Sequence, residues 1–269
     1  MQILPSKELL PFIKHYLFLE NEGKSIKKLR LFSDGNTGIV FSFRGHLIAD
    51  APSNTPLNTL PNAFVYGQIS AFKDLYLAGE TALIIVVFQP SGVHQLLGIP
   101  ADELRDTIVS TEDVFGLQAL ELQEKLLGKN DCQNKPTLLN AFFTQLMPKN
   151  AFNSHILIQS SLHFILKNKG CVSVNQLVKH TGYTERHIER MFSDAVGLNP
   201  KKFSNIIRLH TFLRLMKEGT GNFTTIGYKC GYADQSHLIR EFKKYTGITP
   251  KEYVNDTRKL AVNFMALNK

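Results

Sequence analysis

The spacing of hydrophobic positions divides the chain in two. Up to about residue 105, apolar residues come in short runs rich in β-branched and aromatic side chains, at 15–19, 28–32, 38–43, 63–67 and 83–88. Ser33-Asp34-Gly35-Asn36 and Ala51-Pro52-Ser53-Asn54, which separate some of these runs, have the composition of turns. Short strands punctuated in this way predict a small barrel or sandwich. Helical spacing then takes over. Residues 91–97 predict a short helix stopped by Gly98 and Pro100, and 135–146 another closed by Pro148. Between them, Ser110 or Thr111 caps a helix reaching Leu127, with Glu112 and Asp113 in its first turn, where the helix dipole favours acids. Beyond Ser154 every segment reads as helix: an apolar-rich one containing Ile156, Ile158, Leu162 and Ile165, then 174–181, 184–195, 200–217, 223–230, 235–246, and a short one from Pro250.

The helical half contains a repeat. Gly182-Tyr183-Thr184-Glu185-Arg186-His187-Ile188-Glu189-Arg190-Met191-Phe192 is echoed by Gly231-Tyr232-Ala233-Asp234-Gln235-Ser236-His237-Leu238-Ile239-Arg240-Glu241-Phe242. The echo continues from Gly197-Leu198-Asn199-Pro200 to Gly247-Ile248-Thr249-Pro250. The offset is 50 residues from Arg190 and Arg240 onward and 49 at the two Gly-Tyr turns, so the second copy has one more residue in its turn. Helix, Gly-containing turn and helix, written twice, predict two helix-turn-helix units.

Charge points the same way. Residues 1–153 carry 13 Lys and Arg against 15 Asp and Glu, a net −2; residues 154–269 carry 18 against 8, a net +10. Only the helical half is expected to meet a polyanion. The sign changes across residues 147–153, which places a domain boundary there and divides the chain into 1–150 and 151–269. No basic stretch followed by an apolar run opens the chain, and its longest apolar run, 83–88, is far shorter than the ~20 residues of a membrane helix. A cytoplasmic protein without membrane contact is expected.

Thr184 and Asp234 stand where helix N-caps belong. After each, apolar residues mark the packed face (Ile188, Met191, Phe192; Leu238, Ile239, Phe242), and the first two turns present Arg186, Glu189 and Arg190 in one copy and Gln235, Ser236, His237 and Arg240 in the other. This is the end of a recognition helix that enters the major groove, where Arg pairs with guanine, Gln with adenine and Glu with cytosine. Lys201, Lys202 and Lys251, each next to the Pro that starts a following helix, are candidate phosphate contacts, as is Thr184. The 18-residue helix between the units spans roughly 27 Å, less than the ~34 Å between successive major grooves on one face, so modest DNA bending is expected.

These motifs resemble the C-terminal domain of the AraC/XylS family of bacterial transcription regulators over residues 154–253: R-H-I-E-R-M-F-x5-G-x-x-P from Arg186, Ile207-Arg208-Leu209 in the long helix, and G-Y-x-D-Q-S-H-L-I-R-E-F-K-K-Y-T-G-I-T-P-K-E-Y from Gly231. The resemblance implies base reading by the seven residues named above, with promoter DNA and RNA polymerase as partners and activation as the usual outcome. Glu189 departs from the uncharged or basic residues often found there, which leaves the target sequence open. Phe88-Gln89-Pro90-Ser91-Gly92, Leu96-Leu97-Gly98-Ile99-Pro100 and Leu9-Leu10-Pro11-Phe12 are similar to a cupin-like sensor module found ahead of this domain. Such modules bind a small effector, form homodimers, or both, and no effector-binding residues carry over. The expected fold is therefore α+β: a β-rich cupin-like barrel with helices, then an all-α domain of two helix-turn-helix units joined by a long helix.

Two rival readings differ in class. A regulator without effector would use its N-terminal half only to dimerise or to bind a partner. A metal-dependent cupin enzyme would need closely spaced histidines, but His15, His46 and His94 are far apart and form no His-x-His pair. No catalytic residue, metal or cofactor is expected. Cys132, Cys171 and Cys230 form no C-x-x-C pair, and Cys132 lacks the metal or basic setting that alkyl transfer to a thiolate requires.

Overall fold

The computed structural model describes residues 1–23, 26–49, 58–128, 134–147, 156–219, 221–255, 259–261 and 264–267. Cys132, the turn at 51–54 and most of the boundary segment 147–153 lie outside them. The strands are β1 (Gln2–Ile3), β2 (Ile13–Asn21), β3 (Lys27–Leu31), β4 (Gly38–Ala49), β5 (Asn58–Thr59), β6 (Ala63–Tyr66) and β7 (Lys73–Phe88). After α1 (Gly92–Leu97) come β8 (Ile108–Ser110), α2 (Thr111–Phe115), α3 (Leu117–Leu127) and α4 (Lys135–Gln145). The helix expected over 111–127 is thus two, broken at Gly116.

β7 organises the sheet. Its length pairs antiparallel with β4, while the opposite side takes β3 at Lys73–Leu77 and β2 at Thr81–Phe88. Period-2 alternation sorts its side chains. Ile84, Val86 and Phe88 join Ile39 and Phe41 of β4 and Tyr16 of β2 in a core covered by Val93, Leu96, Leu122, Leu126, Leu139 and Phe143 of the helices. Leu83 and Leu77 join Val40, Leu47, Leu29, Leu60 and Phe64 on the other face. The first half of β7 was not among the expected strands, because Lys73, Asp74, Gly79 and Glu80 interrupt its apolar pattern.

The helical region runs α5 (Ile156–Lys167), α6 (Val174–Thr181), α7 (Glu185–Val196), α8 (Pro200–Lys217), α9 (Phe223–Lys229), α10 (Gln235–Thr246) and α11 (Pro250–Asn255). Local chemistry sets the ends. Ser173 and Gln176 form a capping box on α6, and Asn199, Asn222 and Asp234 accept from the third backbone N–H of α8, α9 and α10. Pro200 fills the first position of α8. One core runs through both units, from Ile158 and Ile188 to Leu238, Phe242 and Tyr253.

Two features depart from the expectation. The chain is not helical to its end: β9 (Lys259–Ala261) and β10 (Phe264–Leu267) form an antiparallel pair, and β10 pairs with β3 along Lys28–Leu31. The C-terminal segment therefore extends the N-terminal sheet. And Phe32, at the end of β3, is fully buried in the core of the helical region, where it meets His210 and Tyr253.

Candidate nucleic-acid interface

The first turns of α7 and α10 both face solvent. Thr184 Oγ1 accepts from His187 N–H at 3.4 Å, and Asp234 Oδ1 accepts from His237 N–H at 2.7 Å. These caps start each helix where its candidate reading residues begin, while Ile188, Phe192, Leu238 and Phe242 bury the other face. Arg186, Glu189, Arg190, Gln235, Ser236 and Arg240 are all exposed. Arg240 donates from Nε to the Ser236 carbonyl at 3.3 Å. His237 is half-buried, its ring 5.6 Å from that of Tyr232 and nearly perpendicular to it.

The four expected phosphate contacts fare differently. Lys201, Lys251 and Thr184 are exposed. Lys202 is half-buried beside Asp106 and Arg105 of the N-terminal region, and loss of water around its ammonium lowers its pKa. It faces the sheet domain, because the start of α8 packs there.

Sequence reasoning missed what ties α10 to α8. Arg208 donates to Glu241 Oε2 at 2.7 Å, and its guanidinium sits 4.5 Å from the centre of the Tyr232 ring. The available signal was an acid, Glu241, inside the apolar stripe where the first copy has Met191. A cavity of about 1020 Å³ was also not legible. It runs from the sheet face at Leu47, Phe64, Leu83 and Ile85 to the junction with α8, where Lys14, His15, Asp34, Lys169, His210 and Lys217 line it. Of the strand aromatics, Tyr16, Phe41 and Phe88 belong to the helix-covered core, and Phe64 and Tyr66 line the cavity. His15, His46 and His94 fall in three separate places, and among the described residues no three His, Cys, Asp or Glu gather as a metal site would need.

Residues 177–256 match a family described as a helix-turn-helix domain. The C-terminal region is an AraC-type helix-turn-helix domain. Residues 1–110 match a family described only as a domain of unknown function, DUF6597. The AraC-type domain is similar to an HTH-type transcriptional regulator of Mycobacterium tuberculosis, 29% identical over 84 residues, which is 31% of this chain and 32% of that protein. It is also similar to the HTH-type transcriptional regulator ArgR of Pseudomonas aeruginosa, 22% identical over 87 residues, 32% of this chain and 26% of ArgR. The chain thus spans about a third or less of the length of these relatives. Over most of its length it shares a fold with unsaturated fatty acid bound wild-type ToxT from Vibrio cholerae: TM-score 0.50, 13% identity, covering 89% of this chain and 94% of ToxT. An antiparallel sheet region followed by a helical region is thus an arrangement that this chain shares with ToxT. Among the described residues, no helix is long and apolar enough to cross a membrane.

Proposed function

We propose that the chain is a sequence-specific transcription regulator that reads two adjacent major grooves with α7 and α10 and responds to a small effector held in the interdomain cavity. The observation that carries the DNA reading is the pair of capped helix starts, each presenting an exposed polar set with an Arg at the shared position, 190 or 240, on the basic half of the chain. Arg186, Glu189 and Arg190 read one block of bases; Gln235, Ser236, His237 and Arg240 read the other. Lys201, Lys251 and Thr184 touch phosphate. Lys202 is left out of that set because of its place against Asp106. By family resemblance the regulator activates, through contact with RNA polymerase.

The cavity supports the effector reading. A lining that joins apolar residues to Lys14, Lys73, Lys169, Arg214 and Lys217, which outnumber Asp34, Asp74 and Asp106, suits a ligand with an apolar body and an acidic head, and ToxT, of like fold, is known with a fatty acid bound. A regulator without effector would leave this lining unused. Two experiments test these readings. Selection of sites from a random DNA pool by the full chain, near physiological salt, is expected to return two short blocks about one helical turn apart; strongly salt-dependent retention without a motif would leave only polyanion binding. Thermal unfolding with a series of aliphatic carboxylates is expected to show a rise in Tm that grows with chain length; a flat series would remove the effector.

A further inference from the structure

The two recognition helices end alike, and both ends are held by the N-terminal domain. Gly197 and Gly247 occupy the same place in the repeat, one after α7 and one after α10, with φ of +78° and +71°. A Cβ at 197 would lie 2.5 Å from the Ala101 carbonyl oxygen, and a Cβ at 247 would lie 2.6 Å from Cε1 of Phe72 and 2.7 Å from Nη1 of Arg30. Only glycine permits both the left-handed turn and this approach.

Each contact is a built joint. At the first, Ala101 N–H donates to the Asp194 carbonyl at 2.7 Å, Ser193 Oγ donates to Asp102 Oδ2 at 3.2 Å, and His94 Nε2 lies 3.7 Å from Asp194 Oδ2. At the second, Asp74 accepts two hydrogen bonds from Arg30 at 2.7 Å each, and the Arg30 guanidinium lies 4.3 Å from the centre of the Phe72 ring, so the surface that meets Gly247 is rigid. The β10–β3 pairing ties the chain beyond α11 to the strand that carries Arg30. Between the joints, Phe32 is sunk in the helical core and His210 Nε2 bonds the Ser33 carbonyl at 2.9 Å.

Both joints sit at the ends of the helices away from the reading residues, and Arg186, Arg190, Gln235 and Arg240 stay exposed while the joints are closed. The contact is therefore compatible with DNA binding. It also adds to what α8 and the shared core already fix: fastening both units to a common platform restricts further the tilt and twist that remain between them. Resting on the two-groove reading, we infer that the N-terminal domain gauges the DNA site, setting the separation and rotational phase at which two base blocks are accepted, through its contacts with the Gly197 and Gly247 turns.

The test compares the full chain with three variants: Asp102→Ala with His94→Ala at the first joint, Phe72→Ala at the second, and a chain ending at Asn255, which lacks the β9–β10 pair. Affinities are measured on the selected two-block duplex and on duplexes with one base pair removed, one added or two added between the blocks. Each base pair shifts a block by about 3.4 Å and a tenth of a turn. The full chain is expected to lose about tenfold or more at each change. The variants, checked for folding by circular dichroism, are expected to bind the original spacing within about threefold of the full chain and to lose no more than about threefold on the altered ones. The same sharp profile in all folded variants would mean that α8 alone sets the spacing, and would overturn the inference while leaving two-groove reading intact. Selection of a single block, or of none, would overturn the two-groove reading and the gauge together. Three chemically different variants keep the test open if one fails to fold.

Discussion

The two helix-turn-helix units share one pattern and are held in different ways. In the first, Tyr183 is 48% exposed and stacks on His187, with 4.9 Å between ring centres. In the second, the matching Tyr232 is 2% exposed, packed under Arg208 and edge-on to His237. The difference traces to one position. Where the first unit has Met191, half-buried against an apolar core, the second has Glu241, which holds Arg208 of the connecting helix at 2.7 Å. That buried charge pair needs cover, and Tyr232 supplies it. The apolar repeat specifies how each unit folds, and a single exchange of Met for Glu decides how the unit is joined to its neighbour.

Breaking that join should have the largest effect. Arg208→Ala leaves Glu241 buried without its cation, which costs about 3 kcal/mol or more; urea unfolding of the full chain should show a lower midpoint. Met191→Ala, at the matching site of the first unit, should cost less, because Met191 is only partly buried. Equal losses would mean that the two joins are equivalent.

Next come the proposed base-reading residues. Arg190→Ala and Arg240→Ala should each cost about 1–3 kcal/mol at one base pair and relax specificity there. The two losses should fall in different blocks of the selected site, which quantitative binding to single-base variants would locate. Equal loss on specific and random DNA would make the residue a general cation.

The caps differ more finely. Asp234→Ala and Thr184→Ala should each cost about 1 kcal/mol. The Asp234 loss should be the larger, since its bond is shorter, 2.7 Å against 3.4 Å, and charge-assisted. Thermal unfolding of the two variants ranks them.

The smallest effect concerns the junction both units share. His210 has Asp34 and Lys14 nearby and bonds the Ser33 carbonyl; burial, which penalises the imidazolium, is the main cause of a pKa below the ordinary 6.5. The folded chain resists a proton there that the unfolded chain accepts below pH 6.5. Stability present above that pH is therefore lost as the pH falls from 6.5 through the folded-state value. His210→Gln should flatten Tm against pH in that window. His15, lowered by burial and then by Lys14, should keep part of the slope.

Legibility in the sequence followed the range of the forces. The expected helix at 200–217 matches α8 residue for residue, and 174–181 and 235–246 match α6 and α10, because caps, Pro200 and apolar spacing all act within a few turns. The strands were found by their apolar halves and missed by their polar ones: Lys73 and Asp74 lie in β7 because Leu31 and Arg30 of β3 pair with them, not because of local preference. Phe32 could be read as buried, though not as buried in the other domain. Lys202 read as a candidate phosphate contact, and its neighbour Asp106 is far away in the chain.

The amino-acid order by itself determined the repeat and the uneven charge, which are read off the residues directly, and the capped helix starts with their exposed polar faces, which depend on residues within one or two turns of one another. Tertiary structure alone decided the cavity, the Arg208–Glu241 join, the return of the last strands to β3 and the seating of Gly197 and Gly247 on the sheet domain. All of these bring together groups distant in sequence, and such contacts form only where the packing of whole elements recovers the entropy of closing the long loops between them.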